Sequence, residues 1–317
     1  MLNKIRRSQG GFSLVELMVA MTLGLLISGG VGSMFLQGSR SSAEDDRYLR
    51  MIENGRYAID VLARDLRMIS FWGEMLDPGA INSSLVAGED CGLDLFDGAA
   101  PVLGNNPHAS PPLVQFDITS GACATLTGTV SANTNQLAIK HTSGVSITAG
   151  QTEDAVYVRT NGFTGDFIQY KAASTPALTA NFEDWTYRPS IYYVQANAGI
   201  PYLCRLQVVG LAFNATDVDE CFAEGVEQFY VQFGIDTDND SIANQYKSNP
   251  TIAEMNSAVT ARIYVLVRSA TADALMVNSK AYTLGDLSIA AANDNFYRRV
   301  FNTTVQLRNP ANLAALE

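Results

Sequence analysis

Lys4-Ile-Arg6-Arg7-Ser-Gln-Gly10-Gly11-Phe12-Ser-Leu-Val-Glu16-Leu17 leads into an apolar run that ends near Leu36. The first 11 residues hold three positive charges and no negative one. Phe12 to Leu36 holds a single charge, Glu16. A helix over that run would be roughly 38 Å long at ~1.5 Å per residue, enough to cross a hydrocarbon core of about 30 Å with some tilt. Positive charge on its leading side puts the N-terminus in the cytoplasm and the rest of the chain outside.

A removable secretory signal has small residues after its apolar stretch. Here the glycine pair comes before it. A cut between Gly11 and Phe12 would remove the basic leader and leave the apolar helix on the mature chain. This layout resembles the class III signal peptide of type IV pilins and pseudopilins. The resemblance implies prepilin peptidase cleavage after Gly11, N-methylation of Phe12, and an assembly role for Glu16 through the new amine of a neighbouring subunit. A carboxylate within an apolar span costs about 2.5–3.5 kcal/mol on insertion scales, so Glu16 calls for a reason. Two other contacts stay open: hydration near the interface, and an approach to Phe12 four residues away on one helix face.

Helical character continues past the apolar run. Leu49, Ile52, Ile59, Leu62, Leu66 and Ile69 recur at helical spacing, with most charged residues off that stripe. No proline precedes Pro78, and Gly73 is a plausible stop. An unbroken helix from Phe12 to Trp72 would be roughly 90 Å long. Gly24, Gly29, Gly30 and Gly32 inside it permit either close helix packing or local melting, at about 1 kcal/mol per glycine relative to alanine.

Residues 77–121 are rich in Gly, Pro, Ser and Asn and read as loops. Strands are expected at Gln136–Lys140, Ala155–Arg159, Gly225–Ile235, Val259–Arg268 and Phe296–Leu307. Ser190–Val194 and Tyr202–Val208 form a hairpin closed by Gln195–Gly199. The expected fold class is α+β: a long N-terminal helix whose amphipathic half covers the apolar face of an antiparallel β-sheet. The organisation would be a leader (1–11), a transmembrane and filament-core helix (12–36), an amphipathic helix (37–73) and a β-rich periplasmic head (74–317).

Several stretches resemble the PilW minor pilins: Glu53–Arg67, Tyr192-Tyr193-Val194, Gly225-Val-Glu-Gln228, Gln232–Asp238, Val267-Arg268-Ser269 and Arg298–Asn309. Together they cover the second half and both ends, and leave residues 77–185 unmatched. The resemblance implies a subunit that joins other minor pilins in a tip or priming complex for type IV pilus biogenesis. It implies twitching motility and adhesion as the downstream roles. Its partners would be the major pilin, prepilin peptidase, the inner-membrane assembly platform and a tip adhesin. The chain would sit in the inner membrane before assembly and at the pilus tip afterwards. The alternative is a J-type minor pseudopilin of type II secretion. The loop at Asp236–Asp240 and the ending favour PilW.

The net charge is −11, and loss of the leader makes it more negative still. That disfavours nucleic acid as a partner, since such binding neutralises phosphates with Lys and Arg. A basic strip at Arg262, Arg268, Arg298 and Arg299 is the local exception. Cys91, Cys123, Cys204 and Cys221 contain no C-x-x-C pair, which argues against zinc or thioredoxin chemistry. An even count in an oxidising compartment favours two disulfides. Cys91–Cys123 and Cys204–Cys221 are the expected pairs because each brackets a local loop, with free buried thiols as the other reading.

Asp236, Asp238 and Asp240 alternate along a turn, as carboxylates for Ca²⁺ do. Ser241 stands where an EF-hand needs glycine, and Lys247 where it needs glutamate, so this is no EF-hand. A solvated acidic turn and a Ca²⁺ site completed by other ligands both stay open. Enzyme signatures are absent: no nucleophile elbow, phosphate loop, dinucleotide turn or zincin pair. The reading is a non-enzyme with no resident cofactor. His108 and His141 lie in polar sequence and read as surface histidines.

Overall fold

The computed structural model describes residues 11, 13–76, 81–85, 113–114, 130–131, 134–211, 218–251, 254–255 and 257–308. After helix α1 (Leu14–Met68) come β1 (Ile81–Ser83), β2 (Leu113–Val114), β3 (Leu137–Ile139), β4 (Thr142–Ile147), β5 (Val156–Thr160), β6 (Gly165–Gln169) and β7 (Glu183–Tyr187). The second half supplies β8 (Ser190–Asn197), β9 (Ile200–Gln207), β10 (Val218–Glu224), β11 (Val226–Ile235) and β12 (Gln245–Lys247). It ends with β13 (Ala258–Arg268), β14 (Tyr282–Leu284), β15 (Leu287–Ile289) and β16 (Arg298–Gln306). The fold class is α+β, as expected. The chain divides into two compact units, Met1–Leu49 and Arg50–Glu317.

In the first unit α1 is apolar as far as Leu36 and uncovered among the described residues. Large side chains from Leu14 to Leu36 are exposed. Within the second unit, burial of α1 begins at Met51 and continues at Gly55, Ala58, Leu62, Ala63 and Leu66. Leu49 is exposed, and Ile52 and Ile59 are only half-buried. The packed stripe is thus rotated from the expected one toward smaller residues. Gly55 shows why. A Cβ there would lie 2.4 Å from the ring of Phe301 on β16. The helix ends at Met68 rather than Trp72, because Ser70 takes a left-handed φ of 60°, and the Phe71 N–H donates to Met68 O at 3.0 Å. Leu62, Leu66 and Ile69 are fully buried, each stabilising by about 1.5–3 kcal/mol.

The expectation of one sheet with one apolar face needs correction. A five-stranded antiparallel sheet, β10-β9-β8-β3-β2, is buried on both sides. Tyr192, Val194, Leu203 and Ala223 join the α1 stripe and the β11–β13–β16 core. Ile191, Tyr193, Cys204 and Leu206 pack instead against Trp72, Val156, Val158, Phe167 and Tyr187. The latter group belongs largely to a second five-stranded sheet, β1-β6-β5-β7-β4. That sheet is mixed, since β1 pairs parallel to β6. The third, β12-β11-β13-β16, is antiparallel, and its outer face is covered at Tyr230, Tyr264 and Leu266 by the β14–β15 hairpin.

The expected hairpin is present and longer than expected. β8 and β9 pair from Ser190↔Gln207 to Asn197↔Ile200, so only Ala198 and Gly199 turn. Asp184 on β7 is fully buried, and Arg159 of β5 holds it with Nε–Oδ1 2.7 Å and Nη2–Oδ2 2.9 Å. Buried charges survive in this way, paired and hydrogen-bonded.

Candidate functional site

The first candidate surface is the start of α1. Ser13 caps it: the Glu16 N–H donates to Ser13 Oγ at 3.2 Å, and the Leu17 N–H to Ser13 O at 3.2 Å. Ser13-x-x-Glu16 before an apolar run is a capping-box signature. The sequence reading used Glu16 alone and passed over this pattern. Glu16 sits in the first turn, where the helix dipole favours negative charge. Gly11 is exposed. Phe12 and the leader through Gly10 lie outside the described residues.

Polar side chains of this helix turn inward to the backbone. Thr22 Oγ1 donates to Val19 O at 2.9 Å, and Ser33 Oγ to Gly30 O at 2.8 Å. Such back-bonding removes free hydroxyls from an apolar surface. Gly24, Gly29, Gly30 and Gly32 have nothing within 4 Å of a built Cβ. The helix is long and apolar enough to cross a membrane.

The second candidate is the turn after β11. The ligand atoms of Asp236, Asp238 and Asp240 lie within 4.8 Å of one another. Asp236 is buried and accepts N–H donors from Asn239 (2.8 Å) and Asp238 (3.1 Å) on Oδ1 and from Ser241 (2.7 Å) on Oδ2. Burial alone would raise its pKa, but these donors outweigh it and hold the carboxyl below the usual range. Ser241 adopts φ 66°, so the bend reserved for glycine in an EF-hand is made here by serine. Asn244 Oδ1 closes the turn by accepting the Thr237 N–H at 2.6 Å. Asp238 and Asp240 are exposed.

The basic strip is not a free cationic surface. Arg298 is bound by Glu227 (Nε–Oε2 2.6 Å) and by Asp294 (Nη2–Oδ2 2.6 Å). Burial opposes its charge, yet these carboxylates push its pKa up. Arg268 lies 3.6 Å from Glu227 and over the Phe296 ring. Arg262 lies over Tyr246 and Arg299 over Phe301. Glu227 occupies a β-bulge between Val226 and Gln228, and bulges re-aim side chains. Gly225 precedes it at φ 82°, where a Cβ would meet Arg268 O at 2.3 Å.

Cys204 and Cys221 are directly opposite on β9 and β10 and form the expected disulfide, with Cα atoms 3.9 Å apart. Cys91 and Cys123 lie outside the described residues. His108 does too. His141 contradicts the surface reading, for it is buried. Its Nδ1 lies 2.7 Å from Thr142 O, and among the described residues its Nε2 has no hydrogen-bond partner. Burial lowers its pKa, against the pull of Asp65. The cause is local: residues 140–142 clamp the end of α1. The Thr142 N–H donates to Phe71 O at 2.8 Å and the Ser70 N–H to Lys140 O at 3.4 Å. Beside this clamp the Tyr192 hydroxyl donates to Asp65, and burial together with Asp65 raises the Tyr192 pKa.

Comparison with known proteins first gives the class. Residues 6–32 match the prokaryotic N-terminal methylation motif, which covers the Gly11-Phe12 junction and Glu16. Residues 191–309 match the family model of type IV pilus-assembly protein W, PilW. The chain therefore joins a match to the methylation motif at its start to a match to the PilW family model in its second half. The second matched region begins in β8 and includes β11, β13 and β16. A type IV-like pilin from Thermus thermophilus aligns over 83% of this chain and 98% of its own, at 14% identity and a TM-score of 0.37. No curated protein matches.

Proposed function

We propose that the chain is a minor pilin that assembles with other minor pilins into a tip or priming complex for type IV pilus biogenesis. The observation that carries this reading is the helix before Leu36. It combines the methylation motif, an uncovered apolar surface and a capped first turn bearing Glu16. In a membrane that surface meets lipid. After extraction, the same surface and the open glycines meet neighbouring helices, with dispersion and close backbone approach as the attraction. Prepilin peptidase would cut between Gly11 and Phe12. Glu16 would then pair with the methylated amine of Phe12 on an adjacent subunit. The work is polymerisation rather than catalysis, and the PilW match supports the pilus over type II secretion.

The test is detection in sheared filaments by immunogold labelling, with Glu16→Ala beside wild type. Labelled filament ends are expected for wild type. For Glu16→Ala, normal cleavage without incorporation is expected. Normal incorporation of that variant would refute the pairing.

A second proposal concerns the acidic turn: it takes a hard cation such as Ca²⁺ on Asp236, Asp238 and Asp240. Its support is the convergence of three carboxylates on a closed turn. They supply only part of the six to eight oxygens Ca²⁺ takes, so backbone carbonyls and water complete the shell. Calorimetry of the full chain in detergent should show saturable heat and a raised melting temperature. The absence of both would leave a plain acidic turn.

A further inference from the structure

The chain passes between two of its sheets at one corner. β3 ends at Ile139 in the β10-β9-β8-β3-β2 sheet, and β4 begins at Thr142 in the β1-β6-β5-β7-β4 sheet. The return runs from β7, which ends at Tyr187, to β8, which begins at Ser190. The two crossings are joined, for the Arg188 N–H donates to His141 O at 2.9 Å. The segment just past α1 is tied to the first crossing. Phe71 O accepts both the N–H and the hydroxyl of Thr142, at 2.8 and 3.0 Å, and Lys140 O accepts the Ser70 N–H at 3.4 Å. His141 is thus buried where the end of α1 and two sheets meet. Its Nδ1 lies 2.7 Å from Thr142 O. A carbonyl only accepts, so the neutral ring carries its hydrogen on Nδ1, and Nε2 is a bare acceptor. Among the described residues nothing donates to that nitrogen.

We propose that His141 is an acid-sensitive latch on this corner: uptake of a solvent proton at Nε2 opens the hydrogen bonds that tie Ser70 and Phe71 to residues 140–142. The charged groups around the ring are Asp65 on α1, Arg188 in the return crossing and Arg205 on β9. Lys140, the preceding residue, is buried as well. Asp65 already accepts the Tyr192 hydroxyl from β8, and Arg205 is 3.3 Å from Glu220 on β10. Asp65 and the Thr142 carbonyl favour the imidazolium, while burial and both arginines oppose it. Once the corner opens, the ring reaches water and titrates near its usual value of about 6.5. The open corner therefore binds the proton more tightly than the closed one, and acid populates it. The sheets themselves stay together. Val156, Val158, Phe167 and Tyr187 remain packed on Ile191, Tyr193 and Leu206, and one proton is small against so many buried apolar side chains. The opening is confined to the crossing, which backbone hydrogen bonds hold.

The test is amide exchange of the detergent-solubilised full chain, followed by mass spectrometry and corrected for the chemical exchange rate. Opening at the Ser70, Thr142 and Arg188 amides is expected to rise by up to about tenfold per pH unit below about pH 6.5. The amides of β8, β9 and β11 should keep their protection over the same range. His141→Gln keeps a neutral polar side chain and should remove the dependence. Thr142→Val deletes one bond to Phe71 O without touching the imidazole, so it should raise opening at every pH and leave the dependence in place. Opening indifferent to pH in the wild type overturns the proposal, and the wild-type result stands whether or not a variant folds. The same dependence in His141→Gln, or loss of protection in all strands together, overturns it too. Because the measurement needs no filament, its outcome is independent of whether the chain enters pili.

Discussion

Phe301 fills the space that a side chain at residue 55 would occupy, so Gly55 is a packing decision made at one atom. In an open helix, replacing glycine gains about 1 kcal/mol of propensity. Here overpacking at roughly 1–3 kcal/mol for each modest insertion outweighs that gain. Gly55→Leu should lower the melting temperature of the full chain by several degrees, read by circular dichroism. His141 makes a second residue-scale prediction. Burial lowers its folded pKa, so the unfolded chain binds the proton more readily. Its contribution is present above the unfolded pKa of about 6.5 and is lost as pH falls below it. The charged groups around it are Asp65 from α1, Arg188 between β7 and β8, and Arg205 from β9. Of these, Asp65 favours the cation, as does the Thr142 carbonyl, and both arginines oppose it. Denaturant melts between pH 7.5 and 5 should show stability falling with pH by at most about 1.4 kcal/mol per unit from this group. His141→Gln should flatten that slope.

Among the elements, the β9–β10 pair is stapled by Cys204–Cys221 across a sequence separation of 17. Closing a loop of that size stabilises by about 3 kcal/mol in the chain-entropy account. The double variant Cys204→Ser, Cys221→Ser should lose roughly that much in denaturant melts, with β8 and β9 still paired. β11 and β13 were legible because they alternate or run apolar, as in Val259, Ala261, Ile263, Val265 and Val267. β4, β6 and β7 were not. Thr142–Ile147 holds Ser and Gly, and Glu183–Tyr187 opens with two acids. A buried Asp184 cannot be anticipated without Arg159, 25 residues away. On α1, alanine and glycine carry little hydrophobic signal, so periodicity alone points to Leu49, Ile52 and Ile59. Close packing selected Gly55, Ala58 and Ala63 instead. The capping box at Ser13 and Glu16 was visible in four residues but was overshadowed by the charge of Glu16. The β14–β15 hairpin over Tyr230, Tyr264 and Leu266 was not legible either, because its strands are only three residues each.

At the scale of the molecule, residues 191–309 match the PilW family model and residues 6–32 the methylation motif, and the assembly proposed above would give the apolar surface two environments, lipid and neighbouring helices. The apolar helix and the motif were legible in the sequence because membrane length, leader charge and glycine placement are local facts. The double-sided sheet was beyond it, since Ile191 and Tyr192 read alike while facing different layers. The most direct measurement is deletion of this chain in its host, with complementation by wild type and by Glu16→Ala, scoring surface pili, twitching and type II secretion together. The account predicts that deletion removes or sharply reduces surface pili and twitching, that wild type restores both, that Glu16→Ala does not, and that secretion is untouched. Retained pili with lost protein secretion would contradict it.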